Sequence, residues 1–202
     1  MEDKIVLYSY RRCPFAMRAR IALHEKKLPF EVIEEDLKNF SEKLRSLHPE
    51  AKVPLLIHGS CVIYESAIIT EYVDDLPSFE PRLMPPGAGE KAEVRLWTYW
   101  CNHQFKPDID RFKYGTSRFP EAECLGAKER LIVHLEKLET QLSQSRWLVG
   151  NNFSLAEVHI FPFVRQLSRV QPTPEFLSQF KAVSKWRDEI AQRSSVIATL
   201  TL

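Results

Sequence analysis

Glycine is scarce in this chain, at 6 of 202 residues, and cysteine is scarcer, at 4. The cysteines stand at 13, 61, 101 and 124, with no CxxC pair and no zinc-ribbon spacing. At this length and density they are not expected to form a disulfide framework, which favours a reducing compartment. An excess of one charge is also missing. The formal net charge is +1, so neither a basic nucleic-acid face nor an acidic tail is expected. No apolar run approaches the roughly 18 residues that a membrane span needs. The chain opens Met-Glu-Asp-Lys without the pattern of a secretory signal. The histidines show no HExxH-type spacing, so no metal site is expected. Together these absences point to a cytoplasmic protein that binds neither membrane nor nucleic acid.

What is present suits one large domain or two small ones, with 44% hydrophobic and 27% charged residues. Leu76 to Gly89 holds four prolines and two glycines, which reads as a linker. Residues 1–77 form one expected domain, 78–89 the linker and 90–202 a second domain. In the first domain, Ile5–Tyr8, Phe30–Ile33, Val53–Ile57 and Cys61–Tyr64 read as strands. Cys13–Lys27, Phe40–Leu47 and Glu65–Asp74 read as helices, giving the order βαβαββα. A parallel pair bridged by a helix and a final antiparallel hairpin through His58-Gly59-Ser60 are expected.

The second domain reads as all-α. Helices are expected over 90–105 and 125–142, the latter from Leu131, Leu135, Leu138 and Leu142 at three- and four-residue spacing. A capping box, Ser154 with Glu157, starts another helix, in which Pro162 should produce a kink. A last amphipathic helix is expected over 179–192.

Three segments of the first domain carry chemistry. The first is Tyr8-Ser9-Tyr10-Arg11-Arg12-Cys13-Pro14-Phe15-Ala16-Met17-Arg18. Cys13 stands between a strand and a helix, where unpaired N–H groups and the helix dipole favour a thiolate, with Arg11, Arg12 and Arg18 adding positive charge. A buried, inert cysteine is the alternative reading. The second is Val53-Pro54: a cis bond would present the Val53 backbone to a ligand, whereas an edge-strand proline would not. The third is Glu65-Ser66 at a helix start, which suits the ammonium and carboxylate of an α-amino acid. An ordinary serine cap is the alternative.

Cys-Pro-Phe-Ala-x-Arg, Val-Pro and Tyr-Glu-Ser, in this order, resemble the glutathione transferase superfamily and specifically its omega-like, cysteine-type branch. Gly150-x-x-Phe153-Ser154-x-x-Glu157 and Ile160-Phe161-Pro162-Phe163 extend the resemblance over nearly the whole chain. It implies a thioredoxin-like α/β first domain, an all-α second domain, glutathione as co-substrate and a homodimer. Cys13 matches the cysteine that forms a mixed disulfide with glutathione. Phe15 matches the residue under the thiol, Val53 and Pro54 the cysteinyl-binding pair, and Glu65 and Ser66 the γ-glutamyl pair. Leu37 matches a glutathione-contacting leucine. Phe40 departs from the pattern, which has lysine there to meet the glycine carboxylate; Lys38 or Lys52 is expected to substitute, with Lys43 a further option.

The chain also lacks the omega C-terminal extension, so an open acceptor pocket is expected. Tyr10, Trp100, His103, Tyr114 and Arg165 are its candidates, with Trp97 and Trp100 also reading as core. Cys61, Cys101 and Cys124 are expected to pack in the core. The resemblance implies a thiol transferase or reductase acting on a small electrophile or disulfide, dehydroascorbate among them. The rivals are a non-enzymatic interaction module of the same fold and a conjugating transferase using Tyr8 or Ser9.

Overall fold

The computed structural model describes residues 4–172 and 174–201, which divide into two compact units. One comprises the residues up to 84 together with those from 193 on; the other is Pro85–Gln192.

The first unit runs β1 (Ile5–Ser9), α1 (Pro14–Glu25), β2 (Phe30–Glu34), α2 (Glu42–Leu47), β3 (Leu55–His58), β4 (Cys61–Tyr64) and α3 (Ser66–Asp75). The sheet order is β2-β1-β3-β4, with β1 and β2 parallel and β3 antiparallel to both of its neighbours. This is the expected thioredoxin-like arrangement. The pleat sends successive side chains to opposite faces. Tyr8 and Leu55, paired in register, pack with Leu44 of α2 on one face, joined by Phe40 and Val53. Leu7 and Leu56, the next pair, are fully buried on the other. The helices α1 and α3 pack side by side. Cys61 differs from its expected core position: it lies exposed on the edge strand β4, while Cys101 is buried and Cys124 half-buried.

Much of the expected linker is built into the first unit. Asp74, buried at the end of α3, accepts the backbone N–H groups of Leu83 (2.7 Å) and Met84 (2.9 Å). The Lys26 ammonium lies 3.4 Å from the same carboxylate and also donates to the carbonyls of Glu80 and Pro81. A buried carboxylate needs such partners. They pin the segment from 80 to 84 despite its prolines.

The second unit holds α4 (Ala88–Trp100), a π-helical turn (Cys101–Phe105), α5 (Lys106–Tyr114), α6 (Glu121–Cys124), α7 (Ala127–Gln144), α8 (Leu155–Ser168) and α9 (Lys181–Ala191). The leucines at 131, 135, 138 and 142 face the core as their spacing predicts. The helix expected to stop at 105 instead passes through the π turn into α5. Asp108 anchors this second half: it accepts from Arg130 Nε (2.8 Å) and pairs with His134 (3.1 Å). The helix α8 carries the expected capping box and is continuous through Pro162.

The last helix, α10 (Ser194–Thr201), groups with the first unit, whereas its sequence reads as the tail of the all-α part. Arg193 makes a two-pronged bond to Glu25 of α1, 2.7 Å on each arm, and Ser195 Oγ donates to the same carboxylate. Fork-to-carboxylate pairing of this kind fixes orientation as well as contact.

Candidate active site

Cys13 is the N-cap of α1, with Pro14 as the first helical residue. Proline suits that position because its missing N–H would have no helical partner. The Cys13 backbone closes a turn to the Tyr10 carbonyl (2.9 Å), and its own carbonyl accepts from Met17 (3.0 Å). The first turn of α1 holds no acidic residue. The half-buried sulfur lies 3.9 Å from the Val53 carbonyl oxygen.

The loop before Cys13 is held from inside α1. Arg20 is 1% exposed, and its guanidinium donates to Ser9 Oγ (2.5 Å), the Tyr10 carbonyl (3.4 Å) and the Arg11 carbonyl (2.6 Å). Burial pushes this guanidinium below its usual pKa. The Arg11 N–H donates to Glu34 (2.7 Å). The Ser9 hydroxyl is therefore engaged and fully buried. Tyr8 packs in the core, where burial and then Glu35 raise its phenol above the ordinary value. Of the two side chains expected to offer an alternative hydroxyl, Ser9 is fully buried and Tyr8 is 5% exposed.

Val53–Pro54 is a cis bond. Pro54 and Val53, with Phe15, Glu65 and Ser66, line one cavity of about 210 Å³ whose remaining wall is His48 and Lys52. Glu65 sits at the N-cap of α3 with φ 67°, a conformation costly for a side chain with a Cβ. Ser66, the first residue of α3, accepts from Arg18 Nη1 (3.1 Å). Arg18 is fully buried, 5.1 Å from the Phe15 ring. Its charge thus serves Ser66 and Phe15, while Arg11 and Arg12 are exposed.

Six expected residues (Phe15, Lys52, Val53, Pro54, Glu65 and Ser66) meet at this cavity, with Cys13 beside Val53. Leu37 and Lys38 are exposed on the turn closed by the Asp36–Asn39 bridge. Tyr10 is half-buried, its hydroxyl accepting from Arg12 (3.0 Å). Trp100 is a packing residue. It stacks on Phe105 and donates its indole N–H to His134 (3.3 Å). In the same unit His103 is exposed against Tyr99, Tyr114 lies under Arg118, and Arg165 is half-buried. Sequence reading missed Arg20 and His48. Arg20 had a signal, as the second arginine in an otherwise apolar Arg18-Ala-Arg motif. His48 had none.

The description "Glutathione S-transferase, N-terminal domain" matches residues 3–75, and "Glutathione S-transferase, C-terminal domain" matches residues 103–194. Glutathione S-transferase U28 of Arabidopsis thaliana is 30% identical over 98% of this chain and 89% of its own length. The chain belongs to the glutathione S-transferase family. Among solved structures of that family, rice GST1 in complex with glutathione is 25% identical over 99% of this chain and 91% of its own, with a TM-score of 0.84. Glutathione transferase Omega 3C from Trametes versicolor has the same TM-score at 23% identity, over 98% of this chain and 90% of its own, which shows a shared fold alone. These relatives support the transferase family as a whole and not the expected omega-like branch. The departure at Phe40 has a physical basis, because its ring packs on the Tyr8–Leu44–Leu55 cluster. No helix among the described residues is long and apolar enough to cross a membrane.

Proposed function

We propose that this family member is a glutathione-dependent thiol transferase that works through a Cys13–glutathione mixed disulfide. The observation that carries this reading is the placement of a cysteine at the N-cap of α1, beside the Val53 carbonyl, while the Ser9 hydroxyl is held by Arg20 and the Tyr8 ring is packed in the core. In this reading Glu65 takes the γ-glutamyl ammonium. Ser66 and the N-terminus of α3 take the γ-glutamyl carboxylate. The Val53 backbone, beside Pro54, pairs with the cysteinyl unit, Phe15 lies under the thiol, and Leu37 borders the tripeptide. Lys52 or Lys38 supplies positive charge for the glycine end.

The Cys13 thiolate attacks the glutathionyl sulfur of a mixed disulfide. A Cys13–glutathione S–S bond forms, the substrate S–S bond breaks, and the electron pair leaves on the substrate thiolate, which takes a proton from water. Position 16 is alanine, so no second cysteine in the motif resolves the intermediate. A glutathione thiolate does so instead, releasing glutathione disulfide and restoring the Cys13 thiolate. Small mixed disulfides are the substrate class; dehydroascorbate would instead add Cys13 at a carbonyl carbon, and a glutathione thiolate would attack the sulfur, forming the Cys13–glutathione bond as the C–S pair leaves on ascorbate. A cytoplasmic homodimer is the working state.

The test is turnover of a small glutathionylated disulfide with glutathione, for wild type and Cys13→Ser. Wild type should reduce the disulfide and, treated with glutathione disulfide, carry a glutathionyl group on the peptide containing position 13; the variant should do neither, whatever exposed Cys61 takes up. Disulfide reduction that survives the substitution rejects the mechanism. Strong turnover of an aryl halide by Cys13→Ser would favour a conjugating transferase.

A further inference from the structure

We infer that His48 is the specificity-determining contact for the glycine carboxylate of glutathione, donating a hydrogen bond from Nε2; the inference rests on the function proposed above. With glutathione extended along the cavity, Glu65 and Ser66 take its γ-glutamyl end, Val53 and Pro54 its middle, and Phe15 underlies the thiol. Of the cavity wall, only His48 and Lys52 remain for the second carboxylate. Position 40, where the family pattern supplies a lysine, is an aromatic ring committed to the core.

The two remaining residues differ in how they are held. The Lys52 side chain is 64% exposed and its ammonium is ion-paired with Glu50, so it is solvated and already occupied. Such surface pairs contribute little direction. His48 is 4% exposed and terminates α2. Its ring lies 4.8 Å from that of Tyr64. Its Nδ1 accepts the Glu50 N–H at 3.0 Å. A neutral ring whose Nδ1 accepts carries its proton on Nε2. The backbone thus selects the tautomer that presents a donor, and packing fixes the ring before ligand arrives. A donor fixed in advance loses little freedom on binding. Lys52 supplies charge and His48 supplies direction.

The two ring nitrogens can be separated by substitution. In His48→Asn the side-chain oxygen stands in for Nδ1, keeping the bond from Glu50 N–H but losing the reach of Nε2. In His48→Gln the longer amide places an N–H near the position of Nε2 and gives up the inner bond. Binding of glutathione and of its glycyl ethyl ester is measured by calorimetry on the full-length protein. A hydrogen bond to a charged group supports a loss of roughly tenfold in glutathione affinity for His48→Asn. Ester affinity should stay unchanged, and His48→Gln should recover most of the loss. The reverse ranking, with Asn tolerated and Gln impaired, assigns His48 a purely structural role and overturns the inference. So does an equal loss for acid and ester, or no loss at all. Wild type that binds neither ligand overturns the proposed function as well; wild type that binds glutathione without dependence on His48 overturns this inference alone.

Discussion

The N-termini of α1 and α8 solve the same problem in opposite ways. Each helix starts with N–H groups that have no partner inside the helix. At α8 they are closed off. Ser154 Oγ accepts from the Ala156 N–H (3.1 Å) and donates to Glu157 Oε2 (2.8 Å), and that oxygen also accepts the Ser154 N–H (3.1 Å). The other Glu157 oxygen accepts the Leu148 N–H (2.7 Å). At α1 the N-cap is a cysteine whose side chain makes no cap hydrogen bond, followed by a proline. At α3 the N-cap is Glu65, likewise without a side-chain cap bond and in a strained conformation. A well-capped start contributes stability, whereas a start without a side-chain cap leaves its dipole for a ligand or a thiolate. The first unit carries the open kind twice, around one cavity.

The sharpest way to break this comparison is to close the α1 start. Cys13→Ser should reduce thiol transfer to background, because a serine hydroxyl is a far weaker nucleophile at neutral pH. The same change should raise stability by about 0.5–1 kcal/mol, since serine is a favoured N-cap and its oxygen can accept from the first turn. Urea unfolding of both proteins measures the second effect. A lower midpoint for the serine variant would show that the sulfur, not the open cap, is what the local packing requires.

Opening the α8 start should do the reverse. Glu157→Ala leaves the buried N–H groups of Leu148 and Ser154 without acceptors, at a cost of about 3 kcal/mol. Disulfide turnover per folded molecule should be unchanged. Glu157 also makes this region sensitive to pH. Its carboxyl is fully buried, and burial raises its pKa to about 7, opposed by the Leu148 and Ser154 hydrogen bonds. A folded-state value above the unfolded one means that the native state holds the proton more tightly. The resulting stability is complete below about pH 4.5, the ordinary carboxyl value, and is lost as pH rises to about 7, on the order of 3 kcal/mol in all. Glu157→Gln cannot titrate and should flatten that slope. Equal slopes for wild type and Glu157→Gln in unfolding between pH 5 and 7 would assign the pH response elsewhere.

The same contrast explains what could be read from the chain alone. Periodicity revealed the leucine face of α7, the Ser154–Glu157 box, the hairpin of β3 and β4 and the parallel β1–β2 pair, because each rests on local spacing. Cys13, Val53-Pro54 and Glu65-Ser66 were legible as an ordered set. His48 was not legible as a site residue, and Arg20 showed only as the second arginine of Arg18-Ala-Arg. Arg20 folds back on the loop that precedes its own helix, and His48 is held by the backbone N–H two residues on and the Tyr64 ring of β4. The path of residues 193–201 depends on the Glu25–Arg193 fork, which joins positions far apart in sequence and leaves no periodic trace. The interrupted helix α4–α5 was hidden for a similar reason, since a π turn shifts the phase that helical spacing relies on.

The smallest effect on stability is expected at Glu65. Its φ of 67° is costly for a side chain with a Cβ and free of that cost for glycine. Glu65→Gly therefore relieves strain of about 1 kcal/mol or more, offset by about 0.5–1 kcal/mol of additional backbone entropy lost on folding. The net should be a gain of a few tenths of a kcal/mol. Affinity for glutathione should fall at the same time, because the carboxylate that the proposed function assigns to the ligand ammonium is gone. The pair of measurements, urea midpoint and glutathione binding, should move in opposite directions. Had Glu65 been selected for the fold, the glycine variant would lose stability along with affinity. A stability that holds or rises while affinity falls places the strain in the service of the ligand, in contrast to the stabilising contacts of Glu157.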